Sequence, residues 1–149
     1  MTEATARDLA QQCAMALLER DNASHALGLH LLDADAGYAQ LTMTVRPDML
    51  QGHRTCHGGF IFALADSAFA VACNSYDLAT VAQGCSIEYI GAVPVGDVLT
   101  ATCHELSRRG RTGTYDVRIE NQNGQLIALF RGKSYQVRGT VLTPENPHD

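Results

Sequence analysis

Residues 53–75, HRTCHGGFIFALADSAFAVACNS, place one carboxylate inside the most apolar stretch of the chain. Asp66 is the only charged residue between Gly58 and Ser75. Burial of an ionised carboxylate is costly unless a partner compensates it. Asp66 therefore either pairs with a buried base or caps another element, or it is a working carboxylate that faces a cleft.

Two glycines, Gly58 and Gly59, stand where a helix should begin. The apolar side chains from His57 to about Tyr76 point in nearly every direction, which is typical of a helix in the middle of a protein. The first turn of a helix exposes unpaired N–H groups and a positive dipole end, and these can bind an oxyanion as it forms. Glycine also lets a ligand approach that backbone closely.

The position of Asp66 relative to these glycines limits what the helix can do alone. Asp66 lies two turns, about 11 Å, beyond Gly59 on roughly the same face. That distance is too long for both groups to act on one carbonyl group within one chain. Either only one of the two groups takes part in the chemistry, or two copies of the helix combine in a dimer.

The flanking segments predict the elements that must position this helix. The pattern of residues 4–21 predicts an amphipathic helix, and we expect this N-terminal helix to lie within about residues 1–20. Alternating apolar residues on both sides of Gly37 predict a hairpin, and residues 47–59 predict a polar loop outside the core. The second half predicts antiparallel strands with a tight turn at Asn123-Gly124.

These patterns predict the α+β class, with a curved antiparallel sheet that wraps one buried central helix. The absence of a linker or internal repeat predicts a single domain over residues 1–149. About residues 140–149, with two prolines, predict a loose tail.

Composition bears on partners and location. The net charge of −5 does not fit a nucleic-acid-binding protein, and no segment approaches the ~20 apolar residues that cross a membrane. The five cysteines are odd in number and scattered, and the polar N-terminus does not resemble a secretory signal. We therefore expect a cytoplasmic protein with free thiols.

The segment HGGFIFALADSAFAVACNS, with the later GDVLTATCHEL and GTYDVRIENQNGQLIALFRGKSY, resembles the hotdog-fold acyl-CoA thioesterases. The similarity is to the phenylacetic-acid-degradation (PaaI) branch and covers about residues 20–140, with separate segments matching in order and spacing. The resemblance implies the hotdog fold, a long central helix wrapped by a curved antiparallel sheet. It also implies hydrolysis of (hydroxy)phenylacetyl-CoA and similar aryl-acyl thioesters to free acid and CoA, in phenylacetate catabolism.

The resemblance further implies an active site shared by two subunits. The N–H of Gly58 would polarise the thioester carbonyl, and Asp66 from the partner subunit would act as nucleophile or as general base for water. Ser67 would orient the water or the acid, Gly59 would support the tight helix start, and His57 would flank the site. The implied assembly is a homodimer that pairs into a homotetramer, with an acyl-CoA substrate and no cofactor or metal.

Two basic clusters are candidates for binding the phosphates of CoA, because guanidinium and ammonium groups pair well with phosphate. The clusters are Arg108, Arg109 and Arg111, and Arg131 and Lys133. The same residues are also typical of a solvated turn and strand.

Other patterns define the alternatives. His53, Cys56 and His57 lack the second ligand pair of a zinc site, so no metal is expected. Asp48 and His53 are spaced as in hotdog enoyl-CoA hydratases, although the Asn-Pro expected between them is absent. A hotdog hydratase or dehydratase is therefore the alternative enzyme. A non-enzymatic acyl-CoA-binding sensor is the alternative outside catalysis, and it would not need Asp66.

Overall fold

The computed structural model describes residues 3–144, and within them it has three α-helices, one 3₁₀ turn and six β-strands. In chain order these elements are α1 (Glu3–Glu19), α2 (Asn22–Leu27), β1 (His30–Asp35), β2 (Tyr38–Thr44), the 3₁₀ turn (Pro47–Met49), α3 (Gly58–Cys73), β3 (Thr80–Tyr89), β4 (Val98–Arg109), β5 (Thr112–Glu120) and β6 (Leu126–Gln136). The predicted α+β class and the turn at Asn123-Gly124 are confirmed, since that turn joins β5 to β6. No helix within the described residues is long and apolar enough to cross a membrane.

The six strands form one antiparallel sheet in the order β1-β2-β4-β5-β6-β3. One face of the sheet packs on α3, and in β4 the side chains of Leu99, Ala101 and Cys103 on that face are buried. β1 and β3 are the two edge strands, and β3 differs from the other strands because it is exposed along nearly its whole length. Its position beside β6 results from long-range pairing that its own alternation does not predict.

The central helix, α3, is shorter than the predicted span of residues 57–76 and ends at Cys73. Asn74 ends it, because the Asn74 side-chain amide donates to the carbonyl oxygens of Ala70 at 2.8 Å and Thr80 at 3.0 Å. The Asn74 Oδ1 also accepts the Thr80 N–H at 2.9 Å. This side chain therefore ties the end of α3 to the start of β3.

The prediction that residues 47–59 lie outside the core is wrong in part. Met49 is fully buried and Cys56 is nearly so. Backbone hydrogen bonds hold the segment against the core, from Cys56 N–H to Val93 O and from His57 N–H to Met49 O, both at 2.7 Å. Apolar side chains and backbone hydrogen bonds together anchor this largely polar segment to the core.

The C-terminal segment is not loose as far as residue 143. Val141 is buried, and the Asp77 carboxylate accepts the N–H groups of Val141 and Leu142 at 3.0 and 2.8 Å. Arg20 donates to the Val141 carbonyl at 2.8 Å. The prediction of a tail over about residues 140–149 is therefore corrected for residues 140–143, and residues 145–149 lie outside the described residues. The single domain over residues 1–149 stays a prediction.

Candidate active site

The first turn of α3 presents an unused backbone donor. His57 caps this helix, since its Nδ1 accepts the Gly59 N–H at 2.9 Å and its carbonyl oxygen accepts the Phe60 N–H at 3.0 Å. The Gly58 N–H has no acceptor within residues 3–144. A helix start leaves its first N–H groups without intrahelical partners, so the remaining donor can receive a ligand oxygen.

Tyr89, the last residue of β3, lies against this turn. Its hydroxyl donates to the Gly58 carbonyl oxygen at 2.9 Å. A Cβ at position 58 would lie 2.9 Å from Cζ of the Tyr89 ring, so any larger residue would have to displace the end of that side chain. Glycine at position 58 therefore permits this contact as well as close approach of a ligand to the backbone.

Asp66 lies in the middle of α3 and faces an open groove of about 520 Å³. The N-terminal helical segment forms one wall of this groove and the start of β3 forms another. Residues on these two walls are Leu17, Arg20 and Asp21, and Thr80, Val81 and Ala82. The groove combines apolar lining with a carboxylate, which is typical of a small-molecule site.

The electrostatics of Asp66 separate the two interpretations of a buried acid. Its carboxylate has no hydrogen bond or ion pair to any residue that the structure describes. Burial, and then the negative charge of Asp21, raise the pKa of Asp66 above its ordinary value of 3.8. A structural carboxylate would have a base or a donor beside it, so the arrangement favours a working acid or base.

The predicted site residues of the central helix fall into two places along α3. Gly58, Gly59 and His57 lie together at its first turn, whereas Asp66 and Ser67 lie at its middle. Gly58 and Asp66 are eight residues apart, which is about 12 Å along the axis. One chain therefore does not bring the donor and the carboxylate together.

The side chain of Ser67 forms a hydrogen bond within its own helix. Its hydroxyl donates to the Ala63 carbonyl oxygen, four residues earlier, at 2.8 Å. The Ser67 oxygen keeps lone pairs that can accept a hydrogen bond from water.

The first basic cluster lies at the hairpin between β4 and β5. The Arg108 guanidinium stacks on the Tyr76 ring at 3.5 Å and lies 3.8 Å from the Glu105 carboxylate. Arg109 and Arg111 are exposed and form no ion pair with another described residue. This hairpin lies beside the end of α3, because the small pocket that Arg108 and Arg111 line also includes Cys73 and Thr80 of the Asp66 groove.

The second basic cluster is not brought to the groove. Along β6 the side chain of Phe130 packs in the core, so that the alternating Arg131 and Lys133 lie on the opposite, exposed face of the sheet. Arg131 is also neutralised by a bidentate pair with Asp116, at 2.7 and 3.0 Å. In one chain the sheet separates these two cations from Asp66.

The alternatives gain no geometric support. Asp48 pairs with Arg46 at 3.0 Å, so its carboxylate is not directed to the exposed His53 as a hydratase pair would require. Among residues 3–144 no group of three potential metal ligands comes together.

Two comparisons place the chain among known proteins. The family model of the thioesterase superfamily matches residues 53–128. The acyl-coenzyme A thioesterase PaaI of Escherichia coli (strain K12) is 48% identical over 132 residues, which is 89% of this chain and 94% of that protein. The chain belongs to the thioesterase superfamily.

Solved structures in this superfamily agree with the fold described above. The structure of the E. coli PaaI protein from the phenylacetic acid degradation operon has a TM-score of 0.89 and 47% identity, and the match covers 90% of this chain and 97% of that one. A hypothetical thioesterase with coenzyme A from Streptococcus pneumoniae TIGR4 has a TM-score of 0.78 and 26% identity, covering 85% and 98%. The predicted hotdog fold is confirmed.

Three residues of the site escaped sequence reasoning. Tyr89 contacts Gly58 from 31 positions along the chain, and Arg20 and Asp21 reach the Asp66 groove from the N-terminal segment. The pattern Asp21-x-x-Ser24 is a helix-cap signal, and the structure confirms the cap. Nothing in that signal indicates that the cap faces Asp66.

Proposed function

We propose that this thioesterase-superfamily protein is an acyl-CoA thioesterase that hydrolyses (hydroxy)phenylacetyl-CoA and similar aryl-acyl thioesters to free acid and CoA, in phenylacetate catabolism. The observation that carries the proposal is the unpartnered carboxylate of Asp66 in an open groove, on the same helix whose first turn has the unused Gly58 N–H. The similarity to the E. coli acyl-coenzyme A thioesterase PaaI supports the acyl-CoA substrate class. The solved S. pneumoniae thioesterase with coenzyme A supports the CoA portion.

A homodimer completes the proposed site. Among the described residues β6 is the only strand that pairs with β3, so the other edge of β3 is available to pair with a second copy. Antiparallel pairing of two β3 strands would bring two α3 helices together in opposite directions, with Gly58 of one subunit near Asp66 of the partner subunit. This arrangement removes the separation of about 12 Å within one chain. Two dimers then pair into a homotetramer.

The chemistry uses both groups. The thioester carbonyl oxygen accepts the Gly58 N–H, which stabilises the oxyanion that forms when an oxygen nucleophile adds to the carbonyl carbon. As general base, Asp66 takes a proton from the attacking water, the C–S bond breaks, and CoA leaves as a thiolate that is then protonated. As nucleophile, Asp66 forms an acyl anhydride with release of CoA, and water then cleaves the anhydride to acid and free carboxylate. Ser67 and His57 flank the water and the carbonyl.

Substrate binding completes the proposal. The hairpin arginines Arg108, Arg109 and Arg111 bind the phosphates of CoA. Arg108 and Arg111 line a pocket that shares two lining residues with the Asp66 groove, and Arg109 is exposed on the same hairpin. Arg131 and Lys133 are left out of this role, because they lie on the other face of the sheet. The reaction requires no metal or redox cofactor, and the protein is cytoplasmic.

Thiol release from a panel of CoA esters tests the proposal. The panel contains phenylacetyl-, hydroxyphenylacetyl-, benzoyl- and straight-chain acyl-CoA. We expect rapid release from the arylacetyl esters, and a loss of at least about 100-fold in kcat for Asp66→Asn. Sedimentation and circular dichroism verify that the variant keeps its assembly and fold. Absence of thiol release from every ester, or an Asp66→Asn variant with wild-type rates, would contradict the proposal.

A further inference from the structure

Hydrogen bonds join the central helix α3 to the edge strand β3 at both ends. α3 and β3 run antiparallel, so that Asn74 at the end of α3 meets Thr80 at the start of β3, and Gly58 at the start of α3 meets Tyr89 at the end of β3. The Asn74 link follows a short connection. The Tyr89 link spans 31 residues of sequence and fixes the helix end that carries the unused N–H donor.

We infer that Tyr89 is a positioning residue that sets the Gly58 N–H relative to the edge of β3, and hence relative to Asp66 of the partner subunit. The inference rests on the proposed function, in which the partner arrives along that edge. A displacement of about 1 Å between donor and carboxylate costs rate, because reacting groups must meet within a narrow range of distances. The Tyr89 hydroxyl bond of 2.9 Å to Gly58 restrains this displacement.

Two observations indicate positioning. The Tyr89 hydroxyl is held by the Gly58 carbonyl oxygen at 2.9 Å, so the far end of this side chain is fixed at the first turn of α3. Its ring also lies tightly over Gly58, where a single added carbon would meet Cζ at 2.9 Å and the hydroxyl oxygen at 3.1 Å. The ring thus covers one side of the first turn of α3.

Tyr89→Phe is the sharpest variant, because it removes the hydroxyl and keeps the ring. We expect kcat for phenylacetyl-CoA to fall about three- to tenfold with KM and assembly unchanged, and the melting temperature to fall by no more than the loss of one neutral hydrogen bond allows. Tyr135→Phe is the matched control. Tyr135 is exposed on β6 and its hydroxyl has no partner among residues 3–144, so its kcat should equal that of the wild type.

A double-mutant cycle gives an independent test. Gly58→Ala forces the Tyr89 ring away, because the new methyl group occupies its place. In a Tyr89→Ala background the same change has no ring to displace. The remaining effect of the methyl group is then on ligand access alone, so we expect Gly58→Ala to lower kcat by a smaller factor in the Tyr89→Ala background than in the wild type, which is a non-additive result.

The outcomes separate this inference from the proposed function. Equal kcat for wild type and Tyr89→Phe would overturn the inference and leave the proposed function intact. If that unchanged kcat came with a raised KM, Tyr89 would be a substrate contact and not a positioning residue. Losses that multiply in the double-mutant cycle would also overturn it. Absence of thiol release from the wild-type protein would overturn the proposed function and the inference together.

Discussion

Asp21 and Asp66 line the same groove from different elements, the first at the start of α2 and the second at the middle of α3. Asp21 is held in place, because its two carboxylate oxygens accept the Ser24 N–H at 3.2 Å and the Ser24 hydroxyl at 2.7 Å. The other titratable groups around Asp66 are Arg20 in the same wall, Cys73 on α3 and Cys85 on β3. A fixed negative charge thus faces the proposed catalytic acid.

This relationship predicts a shift in the pH profile of Asp21→Asn. Burial, and then the charge of Asp21, raise the pKa of Asp66, and Asp66 must be ionised to act as base or nucleophile. Removal of the Asp21 charge lowers the pKa of Asp66, so the acidic limb of kcat/KM moves to lower pH. Asparagine caps a helix as well as aspartate does, so α2 is preserved. The measurement is kcat/KM for phenylacetyl-CoA against pH.

Asp8→Asn is the matched control for that shift. Asp8 is exposed on α1 and does not line the groove, yet the change removes the same charge from the same N-terminal segment. Its acidic limb should coincide with that of the wild type. If the acidic limb of kcat/KM for Asp21→Asn coincided with that of the wild type, or if both variants shifted it equally, Asp21 would not be the local cause of the raised pKa of Asp66.

The raised pKa of Asp66 also predicts that the proposed catalytic acid costs stability. An acid whose pKa is raised in the folded state binds its proton more tightly when the protein is folded. The free energy of unfolding therefore falls as the pH rises above 3.8, the ordinary pKa of this carboxyl group. Asp66→Asn removes this cost. We expect its melting temperature to exceed that of the wild type at neutral pH, and the difference to vanish near pH ~3, where both forms are uncharged. Scanning calorimetry at both pH values tests this, and a variant less stable at neutral pH would contradict it.

Glu105 holds a polar network beneath the β4–β5 hairpin. Its carboxylate accepts the hydroxyls of Tyr115 at 2.8 Å and Tyr76 at 3.0 Å, and the Tyr115 side chain is almost completely buried. Glu105→Ala leaves the Tyr115 hydroxyl without its acceptor, so we expect a loss of about 1–3 kcal/mol in the free energy of unfolding. Urea denaturation measures it.

The control for Glu105 is Glu120→Ala, since Glu120 pairs with Arg118 at the exposed end of β5. That change should lie within about 0.5 kcal/mol of the wild type. If the network carries the effect, adding Tyr115→Phe to Glu105→Ala recovers part of the loss, because no hydroxyl then remains unsatisfied. Full additivity of the two losses would contradict the network.

The hairpin arginines predict a selective effect on substrate binding. Arg109→Gln and Arg111→Gln remove exposed cations from the β4–β5 hairpin, and Arg111 lines the pocket that adjoins the Asp66 groove. We expect KM for phenylacetyl-CoA to rise about three- to tenfold with kcat preserved, and salt to reduce the difference. Arg131→Gln serves as the control, because its charge is already paired with Asp116 on the opposite face. A larger KM effect for Arg131→Gln than for the hairpin variants would reverse the assignment.

Local patterns in the sequence were sufficient to predict the central helix and its two candidate groups, the Gly58 N–H and the Asp66 carboxylate. An apolar run around Asp66 predicts a buried helix, and Gly58-Gly59 marks its start, because both signals depend on residues within a few turns of each other. The turn at Asn123-Gly124 is local in the same sense and is confirmed. The separation of Gly58 and Asp66 along one helix also followed from spacing alone.

The tertiary structure decided everything that depends on which distant segments meet. Only the strand order shows that β3 is an exposed edge, and only the fold brings Tyr89 to Gly58 and Asp21 to the groove of Asp66. The same holds for Arg131, which the sequence left as a phosphate ligand and the pairing of β5 with β6 places beside Asp116. Residue types and spacing specify local structure, whereas long-range pairing is a property of the whole chain packed around one core.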